Sequence, residues 1–307
     1  MRKYVYAICF CCFICCTAFT GFNTNTVSSG LPQGTDVWMF KYMFDNGTYK
    51  ILSGFNLSNH DGYDSQPSFS ENGSYMLWTS ERDSGQTEIY RYDLTGKSSK
   101  RLTQTSVSEY SPTFMDGGRF ISAVVVEADS TQRLWKYNKS TMKSELVLPK
   151  VTGVGYHTWV DNKTLFLFQL TQPFSLVMCD TRTQITRTVA TNIGRCMSIY
   201  RTNKRKIFLY VQIDSEGKKW IKALDVEGQP AAEFTPVPCL EGAEDYGVDK
   251  RGYLLMASGA KVYSWKIGRD TEWQLNFDLS GYKVNSVSRI AVSPDGSHIA
   301  VVNNSNP

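Results

Sequence analysis

Histidine is scarce in this 307-residue chain: His60, His157 and His298 are its three copies, at no spacing that pairs metal ligands. No G-x-S-x-G elbow and no G-x-x-x-x-G-K-[ST] phosphate loop occurs, so the local signatures of a hydrolase nucleophile and of a nucleotide site are both missing. The nearest glycine motif, GVG at 153–155, lacks a third glycine and leads into a strand-like stretch, which makes it a connecting loop. Basic runs are absent as well. With 33 Lys and Arg against 29 Asp and Glu, the chain carries no electrostatic footprint for nucleic acid. Of eight cysteines, five (Cys9, Cys11, Cys12, Cys15 and Cys16) crowd the N-terminus. The others, Cys179, Cys196 and Cys239, are odd in number and irregularly spaced, so they form no disulfide framework and read as small buried hydrophobes. At 41% hydrophobic and 20% charged, the composition suits a globular domain and excludes disorder, collagen and a multi-span membrane protein.

What is present begins with a targeting pattern. Arg2 and Lys3 precede an uncharged, mostly apolar stretch at 4–19, which ends in small and polar residues around Thr20 and Gly21. That is the layout of a secretory signal peptide, expected over 1–20, and the stretch is short for a membrane span. A retained N-terminal anchor and a lipidated cysteine are the alternatives, although bulky Phe13 and Ile14 before Cys15 suit a lipoprotein cleavage site poorly. Residues 21–35 are polar and rich in Gly, Ser and Thr, a flexible linker before the fold over 36–307.

That fold is repetitive. Short apolar strand, tight polar turn and second apolar strand recur as PSFSENGSYMLWTS at 67–80, PTFMDGGRFISAVV at 112–125 and IAVSPDGSHIAVVN at 290–303. Weaker copies start at His157, Ser198 and Tyr246. The turn ends mark the period at Gly73, Gly118, Lys163, Lys204, Gly252 and Gly296, with intervals of 45, 45, 41, 48 and 44 residues. A second phrase, an aromatic or β-branched strand with a polar turn and a further strand, follows each hairpin except the last. Its sixth copy, DVWMFKYMFDNGTYKILS at 36–53, stands before the first hairpin. Six four-stranded units at this period predict an all-β, six-bladed β-propeller, its last blade closed by N-terminal strands. A β-sandwich has no reason to repeat at constant period. The Trp residues 38, 78, 135, 159, 220 and 265 fall on the strand phrases and are expected to pack between blades.

The first full unit resembles the WD40-like repeat of the TolB propeller family. Pro67, Phe69, Ser70, Gly73, Ser80, Arg82, Asp83, Ile89, Tyr90, Leu102 and Thr103 carry the match, with Pro112 and the Ser293–Gly296 tetrad repeating parts of it. The resemblance covers about residues 36–303 and implies a periplasmic propeller of the Tol–Pal type. The separate α/β domain that precedes the propeller in that family has no counterpart in the linker. Similar propellers cap prolyl-oligopeptidase-like peptidases, whose catalytic domain has no counterpart here, and form the oligogalacturonate lyases.

In a propeller the innermost strands begin at one mouth of the bore, so residues about 45 apart in sequence converge there. The expected funnel mouth comprises Asp64, Gln66, Glu109, Tyr110, Tyr156, His157, Arg195, Glu244, Asp245, Tyr246 and Arg289. The leading reading is a non-catalytic, exported binding module that presents this funnel to an envelope protein or peptide. It has no catalytic residues, no cofactor and no resident metal. The alternative is a propeller enzyme, a lyase or hydrolase of a saccharide or small substrate. There His157 or Tyr110 would act as general base, and Asp64, Glu109 and Asp245 would hold a divalent metal.

Overall fold

Alternate residues of a strand face opposite ways, and the second strand of each repeat is apolar on both faces, as in LFLF at 165–168 and IFLYV at 207–211. Such a strand needs cover on both sides, which sheets stacked side by side around a ring provide. The computed structural model describes residues 34–83, 85–201 and 205–304. The expected signal segment and nearly all of the linker lie outside the described residues, as does the Lys204 turn marker.

Six sheets of four antiparallel strands form the ring. The first strands of blades 1 to 6 are Asp64–Phe69, Ser108–Phe114, Val154–Trp159, Ile193–Arg201, Tyr246–Val248 and Val287–Val292. Each packs beside the next, and that of blade 6 packs beside that of blade 1, so these strands surround the bore. Blade 6 is split between the chain ends. Its order is Thr48–Asn56, Thr35–Asp45, His298–Asn304, Val287–Val292, with Val37 opposite Val302 and Trp38 opposite Val301. The first strand starts at Thr35, one residue before the boundary expected from the sequence.

The core is distributed accordingly. Six apolar layers, one between each pair of neighbouring blades, replace a single centre. In blade 1, Met76 and Trp78 face blade 6 while Leu77 faces blade 2; in blade 3, Phe166 and Phe168 face blade 4 while Leu165 and Leu167 face blade 2. Phe166 stacks on Phe208 of blade 4, ring centroids 3.8 Å apart. Each large side chain buried this way contributes about 1.5–3 kcal/mol.

The hairpin turns explain why some repeat copies are weak. Gly73, Gly118, Gly252 and Gly296 hold positive φ of 71°, 63°, 81° and 71°, which the turn requires and a side chain opposes. Blade 3 has Lys163 at that place, and there the Asp161 carboxylate accepts the backbone N–H of Lys163 and Thr164 instead. Among the described residues, helix is limited to two three-residue 3-10 turns, Asp116–Gly118 and Ser280–Tyr282, and no helix is long and apolar enough to cross a membrane.

Candidate functional site: mouth and bore

Where the first strands begin, four blades send polar side chains across the opening. Arg289 of blade 6 donates to the Tyr156 hydroxyl of blade 3, directly opposite in the ring, at 2.9 Å, and its guanidinium lies 5.3 Å from that ring's centroid. Arg195 of blade 4 donates through Nε to Asp245 Oδ2 at 2.9 Å and through Nη2 to the Ser288 carbonyl at 3.2 Å. Asp245 also lies 3.4 Å from Arg289 Nη1. Burial opposes the charge of Arg289, yet the facing Tyr156 and Asp245 hold its pKa well above the usual value. The group is a crossbar over the bore. Beside it Glu244 accepts the Arg195 backbone N–H and pairs with Lys219 at 3.0 Å. Gly194 permits that approach, since a Cβ there would lie 2.6 Å from Glu244 Oε1.

Two cavities meet at the crossbar. The outer one, a mouth pocket of about 220 Å³, has Val124, Phe168, Leu170, Phe174, Ile193 and Ile213 as its apolar lining. Its polar lining is Gln66, Tyr110, Gln132, Tyr156, Arg195, Lys219 and Glu244. Five of the residues expected at the funnel therefore come together here: Gln66, Tyr110, Tyr156, Arg195 and Glu244. Gln66 is held by the Thr79 hydroxyl at 3.0 Å and the Ser111 N–H at 2.6 Å, which ties blade 1 to blade 2. The inner cavity, the bore itself, is about 630 Å³ and includes Asp245 and Arg289 in its wall. Sequence reasoning omitted the apolar half of the mouth. Its signal was Leu170 and Phe174 flanking the turn TQP at 171–173, two large hydrophobes with no strand to bury them.

The four other expected funnel residues are buried: Asp64 and Glu109 line neither cavity, while His157 and Tyr246 reach the bore wall with a small edge only. Asp64 is fully buried inside blade 1, where it accepts the Trp78 Nε1–H at 2.9 Å and lies 3.6 Å from Arg82; burial raises its pKa. Glu109 is fully buried between blades 1 and 2, accepting the Tyr137 hydroxyl at 2.9 Å and the Thr105 hydroxyl at 3.2 Å. Burial pushes its pKa up to about 7. His157 is buried and its Nε2 lies 2.7 Å from Ser122 Oγ, which accepts the Trp159 indole N–H at 2.8 Å. The serine proton is thus free to go to Nε2, and burial lowers the His157 pKa to about 3, so the ring is neutral. Tyr246 is buried beside Cys196, whose sulfur accepts its backbone N–H at 3.3 Å. The physical reason is common to all four. The pleat that turns one residue toward the bore turns its neighbour into an inter-blade layer.

The carboxylates of the alternative metal trio, Asp64, Glu109 and Asp245, sit in three separate hydrogen-bond networks. Among the described residues no three His, Cys, Asp or Glu side chains gather as a metal set. The three cysteines outside the N-terminal segment are unbridged.

No protein-family model and no curated protein sequence matches this chain. Among solved structures, a protein assigned as TolB from Agrobacterium tumefaciens superposes with a TM-score of 0.62 at 14% identity, over 88% of this chain and 98% of that one. The fold is that of a TolB-like six-bladed propeller. The TolB-like ring also superposes on a chain of a nidogen/laminin complex, with a TM-score of 0.59 at 11% identity over 89% of this chain and 100% of that one. A gluconolactonase from Xanthomonas campestris gives 0.59 at 8% identity, over 86% and 94%. Likeness at these identities is one of fold. Since the ring serves both a lactonase and a protein complex, the function of the TolB-like propeller is read from its own mouth and bore.

Proposed function

We propose that this chain is an exported, non-catalytic binding module of the cell envelope, periplasmic or held at the membrane by an uncleaved or lipidated N-terminus, that takes a protein or peptide partner at the mouth. The mouth pocket carries the reading. A half-open recess with an apolar wall and a rim of Lys219, Glu244 and Arg195 suits an apolar anchor side chain flanked by polar groups. Export rests on the charged and apolar pattern at 2–19.

The second reading, an enzyme at the same opening, draws on the lactonase fold likeness alone. Of its two candidate bases, Tyr110 lines the mouth pocket while His157 is buried and engaged by Ser122, and its three carboxylates are dispersed.

The test is cross-linked capture from the native envelope with wild type, Leu170→Asp and Lys219→Glu, each verified as folded by its melting curve. Leu170 is partly exposed, so the substitution spares the core. One specific partner lost from both variants supports the module. Capture that is indifferent to both substitutions overturns it.

A further inference from the structure

The bore below the crossbar is chemically distinct from the mouth pocket. Its charged lining is Arg195, Arg201, Lys250 and Arg289 against Asp245 and Asp249. Both carboxylates are already engaged. Asp249 accepts the Tyr49 hydroxyl at 2.8 Å and Arg251 Nη1 at 2.7 Å, the latter a cation beyond the lining. Asp245 is shared between the two guanidiniums of the crossbar. One carboxylate cannot neutralise two guanidiniums, and these are held where water is scarce: the Arg289 side chain is 12% exposed and that of Arg195 25%. Arg289 directs two of its five N–H donors at protein acceptors, Asp245 and Tyr156. The closed end of the bore therefore has an excess of positive charge and unused planar donors, the pairing that suits a carboxylate.

At the other end, where the first strands finish, Arg201 and Lys250 add a second pair of cations, and both are exposed. Between the two pairs the wall carries the hydroxyl residues Ser68, Thr113, Thr158 and Ser198. A volume of about 630 Å³ lies within the range of small-molecule sites. The crossbar shuts the mouth side, and a low-dielectric tube lined by one excess sign draws the opposite sign in from its open end.

We propose that the bore binds a small organic polycarboxylate, which enters from the face opposite the mouth pocket. It places one carboxylate against Arg289 and Arg195 and another toward Arg201 and Lys250. The site does not depend on the mouth reading, because Leu170 and Lys219 line the mouth and not the bore, and Arg289, Arg201 and Lys250 line the bore and not the mouth.

Isothermal titration of the full chain with citrate and with succinate tests this, at neutral pH and with ionic strength fixed by sodium chloride. Expected is saturable one-to-one binding, weakened at least tenfold by Arg289→Gln and by the double substitution Arg201→Gln with Lys250→Gln, and unchanged by Leu170→Asp. Acetate at equal ionic strength is expected to bind more weakly than either probe. Absence of a saturable heat overturns the proposal, as does equal affinity in the wild type and the double variant. If Arg289→Gln fails to fold, the double variant decides, since its side chains are exposed and the bond Lys250 makes between blades, to the Asp295 carbonyl, lies at the surface; its melting curve verifies the fold. Loss of citrate binding in Leu170→Asp would move the site to the mouth and likewise overturn it.

Discussion

Replacing Glu109 by Gln should make the protein less sensitive to alkali, and the size of the effect follows from the surroundings of the carboxyl group. Glu109 is fully buried, and among the described residues no ion pair to it is seen; Arg101 pairs with Glu88 at 2.9 Å. Glu88 faces Glu109 and adds repulsion to the cost of burial, while hydroxyls of Tyr137, Thr103 and Thr105 supply the favourable contacts. The balance lifts the pKa from 4.5 to about 7. A carboxyl whose folded pKa is raised binds its proton more tightly in the folded state. Its contribution is present in full below about pH 4.5 and is lost as pH rises through 7. The loss amounts to on the order of 3 kcal/mol at 1.36 kcal/mol per pH unit. Gln keeps an acceptor for Tyr137 and Thr105 and removes the titration. Guanidinium unfolding at pH 5 and pH 9 should therefore show near-equal stability at pH 5 and a variant more stable by about 2–3 kcal/mol at pH 9. Taking the difference cancels His157, whose lowered pKa acts the other way and removes stability as pH falls from 6.5 toward 3. Parallel stability curves for the two proteins across this range would refute the argument.

Other substitutions test other links in the structure. Trp78→Phe leaves Asp64 without its indole donor in a site closed to water and should cost about 1–3 kcal/mol in chemical denaturation; a cost under about 0.5 would show that Arg82 suffices. Gly252→Ala combines a φ of 81° with a Cβ only 2.3 Å from the Tyr200 hydroxyl, so a loss of at least about 1 kcal/mol is expected in thermal melts. Deleting 36–53 removes the strands that cover His298–Asn304, and size-exclusion chromatography should show association through the bared edge; a monomer with an unchanged melting temperature would contradict the ring closure.

The sequence was sufficient for the architecture because a propeller repeats its instructions. Gly73, Gly118, Gly252 and Gly296 mark the turns at nearly constant period, and the displaced phrase at 36–53 dictates which termini must pair. Runs that are apolar at every position dictate that both faces of the second strands be covered. The mouth was legible only in part. Spacing brought Gln66, Tyr110, Tyr156, Arg195 and Glu244 to one opening. It could not say that Asp64 and Glu109 turn into the layers between blades, because a shift of one residue along a pleated strand reverses the facing, and the first strands carry irregularities in their pairing with the second. Nor could it show that Arg289 meets Tyr156, 133 residues away, or that two guanidiniums share Asp245. Repetition and burial are local properties, written every 45 residues or so. The charge balance of a bore is a sum over blades that only closure of the ring brings within reach of one another.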